Sequence, residues 1–355
     1  MSSSPVLLRT HAGRARAAVS SGVRSAGPWL QQRPLILVPA LAGGAVSWLY
    51  ERFYAVVIDC QRLGTWPAGG CAAPTLPLHT LQRGGVSAAE LTTRLTWNAS
   101  VLLLTTVALG AVFVGVSVVL RASRGEHPAA RGVLLLAGVL AGFLDMGHGA
   151  ARATHFIVFQ ELLANPALFS GDERAFVTSM AVGMRGFTLF AACVLVVAAC
   201  ATLLPPRSRS VEGEARELKL QMTRLNLVLY TGAALLVAAV LEFGALEAWG
   251  LSRLTEASAR LFAPATSAAV AATAGVAFLV LIALYLPALL ILHIRGEDLF
   301  DRTPRATPPI TRDAWLQTHG LAVTMPTYVT RFAAVLAPLL AAGPFSALLR
   351  IVLGI

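Results

Sequence analysis

Charge is what this chain has least of. Asp, Glu, Lys and Arg make up 13% of its 355 residues, against roughly 25% in soluble domains, so water is not its main solvent. Lysine is nearly missing: Lys219 is the only one, which argues against lysine nucleophiles or lysine phosphate cradles unless that residue itself serves. The sequence has no Gly-x-x-x-x-Gly-Lys loop, no Gly-x-Ser-x-Gly elbow, no His-Glu-x-x-His pair and no Cys-x-x-Cys, so no standard soluble enzyme module is attached. No catalytic residue, cofactor or resident metal is expected. A formal charge of +10 does not indicate nucleic acid either, because the arginines are spread through the segments between apolar runs and form no single basic face.

What is present is apolar side chain, 56% of the residues. The long apolar runs do not alternate in period two, which excludes a barrel. Helices remain as the structure able to satisfy its own backbone across about 30 Å of hydrocarbon. The expected fold is therefore all-α, a polytopic integral membrane helix bundle of about six transmembrane helices near 34–50, 99–120, 132–150, 186–204, 225–249 and 264–294.

Arg and Lys concentrate in 1–33, 121–131, 205–224 and 295–355, and the positive-inside rule places these segments, with both chain ends, on the cytoplasmic side. The expected organisation is a basic cytosolic tail over 1–33, a six-helix domain over 34–294 and a cytosolic tail over 295–355. Within the domain lie an extracytoplasmic loop, 51–97, and a cytosolic linker, 205–224, whose charged pattern reads as a helical extension of the fifth span. The last segment holds an apolar stretch, Phe332 to Leu349, interrupted by Pro338, Gly343 and Pro344, which reads as a helical hairpin or interfacial segment, with a seventh span as the alternative its length allows. Trp48, Trp97 and Trp249 fall at outer span ends, the places of an aromatic belt. Arginine-rich, lysine-poor coding points to a bacterium, and hence to its inner (plasma) membrane.

The main candidate site lies in and after the third span. Asp145, His148, Arg152 and His155 stand at offsets that put them within about 80° of one helix face. Ionisable groups at membrane depth are costly, face the interior and have partners. Glu242 of the fifth span lies near the depth of His148, with Glu247 a little higher, and Arg185 begins the fourth span. Asp145, His148, Arg152, His155, Arg185 and Glu242 are expected to form an outer-leaflet cluster that handles a proton or ion. Metal is not expected, because ligands spread over three turns of one helix cannot close around an ion unaided.

Transport or conduction of a small solute or ion follows as the expected function, and six short spans would need a homo-oligomer or a partner membrane subunit to enclose a path. A sensor, assembly factor or effector is the alternative; an embedded enzyme acting on lipid-like substrates ranks third. The expected surroundings are the lipid bilayer. Cys60 and Cys71 share the outside loop with Pro67, Gly69 and Gly70 between them, a spacing that permits a disulfide on an oxidising side. Non-reducing peptide mapping is expected to return a Cys60–Cys71 cross-linked peptide that separates on reduction; free thiols at both positions would refute the staple.

Overall fold

The computed structural model describes residues 87–122, 171–206, 208, 210–303, 311–322 and 325–353, with isolated helical positions at 38, 39, 41, 42 and 45. The extended elements among the described residues are α1 (Ala88–Ala122), α2 (Gly171–Thr202), α3 (Val211–Ser252), α4 (Glu256–Asp301), α5 (Arg312–Thr318) and α6 (Met325–Leu353), all of them helices. The first four are long and apolar enough to cross a membrane, as a multi-pass membrane protein requires. They contain the expected runs 99–120, 225–249 and 264–294 and all but the last two residues of 186–204. The spans expected at 34–50 and 132–150 lie outside the described residues, apart from the isolated positions above.

Each helix outruns its apolar stretch, because helix continues for as long as its amides are satisfied. Ser87 caps α1, accepting a hydrogen bond from Glu90 N at 3.1 Å. Ser210 caps α3 in the same way, accepting from Gly213 N at 3.2 Å. Each cap supplies a partner for one of the free first-turn amides. At 42 and 46 residues, α3 and α4 run to about 63 and 69 Å, twice the thickness of the hydrocarbon. The charged linker expected to extend the fifth span is the first part of α3.

Helix α3 is the hub and packs on α1, α2, α4 and α6. The face of α1 turned inward is spaced in sevens: Glu90, Trp97, Leu104, Ala111 and Val118 are buried, interleaved with buried Val101, Ala108 and Gly115. That spacing makes a knobs-into-holes seam, and its small residues allow close approach where burial of apolar surface from water supplies no drive. The other face of α1 exposes Leu102, Leu109 and Phe113. Apolar side chains thus stand on both sides of the helix, and size rather than hydrophobicity separates the protein face from the lipid face.

Two elements differ from expectation. The stretch Phe332 to Leu349 is not a hairpin: Met325–Leu353 is one helix despite Pro338, Gly343 and Pro344. It packs on α3 and α4, and that packing offsets the cost of its helix breakers. Trp97 and Trp249 do not form a belt. Both are buried and pack on each other, ring centroids 5.2 Å apart and tilted by 31°.

At the opposite end from this pair, α2 stops ahead of Pro205 and Pro206, and its last carbonyls are taken up by its neighbours. Arg295 of α4 donates to Leu203 O at 2.7 Å, and Gln221 of α3 donates to Leu204 O at 2.6 Å. Arg302 closes onto Glu214 at 2.7 Å, while Arg312 of α5 bridges Glu297 at 3.0 Å and Asp301 at 3.4 Å. The turn after α5 is a Schellman motif, with Leu321 N to Leu316 O at 2.8 Å and Gly320 N to Gln317 O at 3.0 Å. Its left-handed position, φ 68°, is filled by Gly320, as that geometry favours.

Helices α1 and α2 approach closely at Gly115, where an added Cβ would stand 2.6 Å from Val194 Cγ1 and 3.2 Å from Val194 O. At Gly110 an added Cβ meets nothing within 4 Å. Gly115→Ala is expected to lower stability by about 1–3 kcal/mol through overpacking. Gly110→Ala should be neutral or stabilising, since alanine favours helix by about 1 kcal/mol. Thermal unfolding of both variants in detergent checks the contrast.

Candidate functional site

One end of the bundle, where α1 and α2 begin and α3 finishes, gathers ionisable and aromatic side chains. On α3, Glu242, Trp249 and Arg253 follow one another at seven and four residues, so they share a face. On α1, Glu90, Thr93 and Trp97 share the face that meets it. Trp97 Nε1 donates to Glu242 Oε1 at 3.0 Å, and the hydroxyls of Thr93 and Ser252 are hydrogen-bonded at 3.0 Å.

Above the tryptophans lies a chain of alternating charge. Arg253 Nε is 2.7 Å from Glu90 Oε1, with both side chains largely buried. Arg94 Nε is 3.8 Å from the same oxygen, and its Nη2 reaches Glu173 Oε1 of α2 at 3.2 Å. The Arg94 guanidinium also lies over the Trp249 ring, 5.0 Å from its centroid, a cation–π distance. Burial pushes the Arg253 guanidinium below its ordinary pKa, while the Glu90 carboxylate works in the opposite sense.

Beside this network is a half-open cavity of about 190 Å³, lined by Arg94, Trp97, Asn98, Glu173, Phe176, Val177 and Trp249. It is smaller than the roughly 300–1,000 Å³ of drug-sized sites, and its scale suits a small solute or an ion with part of its hydration shell. Glu242 sits behind Trp97, one hydrogen bond from the cavity wall. Glu247 is buried on α3, and among the described residues no hydrogen bond or ion pair reaches it.

Of the residues expected to form the site, Glu242 is placed at the α1–α3 interface and Arg185 is half-buried on α2. Asp145, His148, Arg152 and His155 lie outside the described residues, as do Cys60 and Cys71. Cys193 is half-buried and Cys200 buried, both on α2. Among the described residues no group of three or more His, Cys, Asp or Glu is arranged to hold a metal.

Glu90, Arg94, Glu173 and Arg253 were not foreseen as a cluster. The missed signal is Ser87-Ala-Ala-Glu90, a capping-box pattern that starts the helix well before its apolar run and brings Glu90 and Arg94 onto it.

Comparisons with known protein families, curated proteins and solved structures find no match.

Breaking the Arg253–Glu90 pair from one side leaves a charge in a poorly hydrated place. Glu90→Gln and Arg253→Met are each expected to cost about 2–4 kcal/mol. The double variant should cost clearly less than their sum, and a thermal-unfolding double-mutant cycle measures that coupling.

Proposed function

We propose that this chain transports or conducts a small solute or ion across the plasma membrane of a bacterium, with Glu242 as the binding or coupling carboxylate. The observation that carries this reading is the stacking order at one end of the bundle. A small cavity with Arg94 and Glu173 at its mouth ends on the Trp97–Trp249 pair, and Glu242 stands directly behind. Ionisable groups placed inside a bundle of membrane helices ordinarily belong to ion or substrate paths. Asp145, His148, Arg152 and His155 are proposed to complete the polar set, and a second copy or a partner membrane subunit to help enclose the path. The distribution of Arg and Lys supports an extracytoplasmic position for the cavity in this reading.

A sensing or assembly role is the second reading. It is favoured by the part of α3 and α4 that runs past the hydrocarbon, held to α5 by Arg312, which offers a partner protein a rigid platform.

Solute and proton flux in proteoliposomes tests the first reading. Glu242→Gln is expected to reduce flux at least about ten-fold, the scale on which one positioned carboxylate acts, while the unfolding midpoint stays near that of wild type. Trp97→Phe keeps the ring but removes the donor to Glu242, and it should reduce flux less. Unchanged flux in well-folded Glu242→Gln would remove Glu242 from the path. No flux from wild type would favour the second reading.

A further inference from the structure

At the other side of the bilayer from the Trp97–Trp249 pair, α6 carries an arginine that the transport reading does not use. Arg331 is 7% exposed. Its Nε and Nη1 are buried without a hydrogen-bond partner, and among the described residues no carboxylate forms an ion pair with it. Arginine cannot shed its charge, and a buried guanidinium with unmet donors is costly. A counter-anion is the expected remedy.

The surroundings say what kind of anion fits. Tyr285 of α4 lies within electrostatic reach of Arg331, Tyr230 and Tyr328. The Tyr285 hydroxyl donates to Asn226 Oδ1 at 3.1 Å, and the Tyr230 hydroxyl makes a long contact with Thr330 Oγ1 at 3.4 Å. Tyrosines from α3, α4 and α6 thus lie in the neighbourhood of the buried guanidinium, where the three helices meet. Tyr230 and Tyr328 are exposed, so the opening faces outward from the bundle.

Height identifies the source. Asn226 is about 35 Å along α3 from Trp249 at 1.5 Å per residue, close to one hydrocarbon thickness. Arg121 on α1 stands at a similar distance from Trp97. If the tryptophan end is at one headgroup layer, Arg331 is at the other, with its tyrosine rim turned to the lipid. Basic pockets between membrane helices on that side suit anionic headgroups, and a guanidinium fork matches the oxygens of a phosphate.

We propose that Arg331, framed by Tyr230, Tyr285 and Tyr328, is a binding site for a phosphate group presented from the membrane surface by an anionic phospholipid. The lipid phosphate supplies the charge that the protein withholds and ties α6 to α3 and α4. The site stands apart from Glu242, and its test does not depend on flux.

The experiment titrates full-length protein in neutral detergent with three probes: short-chain phosphatidylglycerol, short-chain phosphatidylcholine and inorganic phosphate. The unfolding midpoint reads out binding. Phosphatidylglycerol is expected to raise the midpoint at lower concentration than the zwitterionic lipid, and Arg331→Gln should weaken it at least about ten-fold, the scale of one or two charge-assisted hydrogen bonds. Tyr328→Phe, at the exposed rim, should weaken it a few-fold without disturbing the fold. If inorganic phosphate binds as tightly and is lost in Arg331→Gln, the site stands and its occupant is a soluble anion. Should Arg331→Gln fail to fold, Arg331→Lys decides, since it keeps the charge and loses the fork; affinity equal to wild type overturns the proposal. So does equal binding to wild type and Arg331→Gln, or no binding of any probe to wild type.

Discussion

The seam between α1 and α3 is the contact on which the remaining packing depends. Both helices present apolar atoms all round, so nothing in their hydrophobicity alone turns one face toward the other. What turns them is the spacing in sevens of small and polar groups on α1, with Trp97 meeting Trp249 and Glu242 at one end and Gly115 opening toward α2 at the other. Once α1 is seated, α3 has its rotation fixed, and the faces left over receive α2, α4 and α6. Interhelical hydrogen bonds and close approach of backbones supply the specificity that water would supply to a soluble core.

The four long apolar helices were legible in the sequence because unbroken apolar length is a strong signal. Their ends were not, since hydropathy marks lipid depth while caps such as Ser87 and Ser210 mark the limits of the helix. The hairpin expected around Pro338, Gly343 and Pro344 failed for a related reason. Local breakers raise the cost of helix, but a segment lying against two long neighbours recovers that cost in packing, and this tertiary term is invisible in the segment itself. Trp97 and Trp249 were assigned to an interfacial belt from their positions at span ends, yet their seven-residue relations to Glu90 and Glu242 turn them inward.

The candidate site was legible only in part. Glu242 stood out because a carboxylate inside an apolar run is rare, and it does lie at a helix interface. Glu90 and Arg94 were hidden by being counted with a loop, and Arg253 by following the last residue of a span. Each looks like an ordinary surface charge until α1, α2 and α3 are brought together. Arg331 borders the apolar stretch, and its burial follows from α6 lying against α3 and α4.

The lengths of α3 and α4 have a mechanical consequence. A helix of about 63 Å that runs past a hydrocarbon layer half as thick is long enough to act as a pointer: a tilt of about 5° at one end sweeps the far tip through roughly 5 Å. Because Arg302 and Glu214 bind the two pointers together and Arg312 lashes α5 across one of them, the tips swing as one body. A change in the seating of α1 would therefore be magnified into a larger displacement at α5.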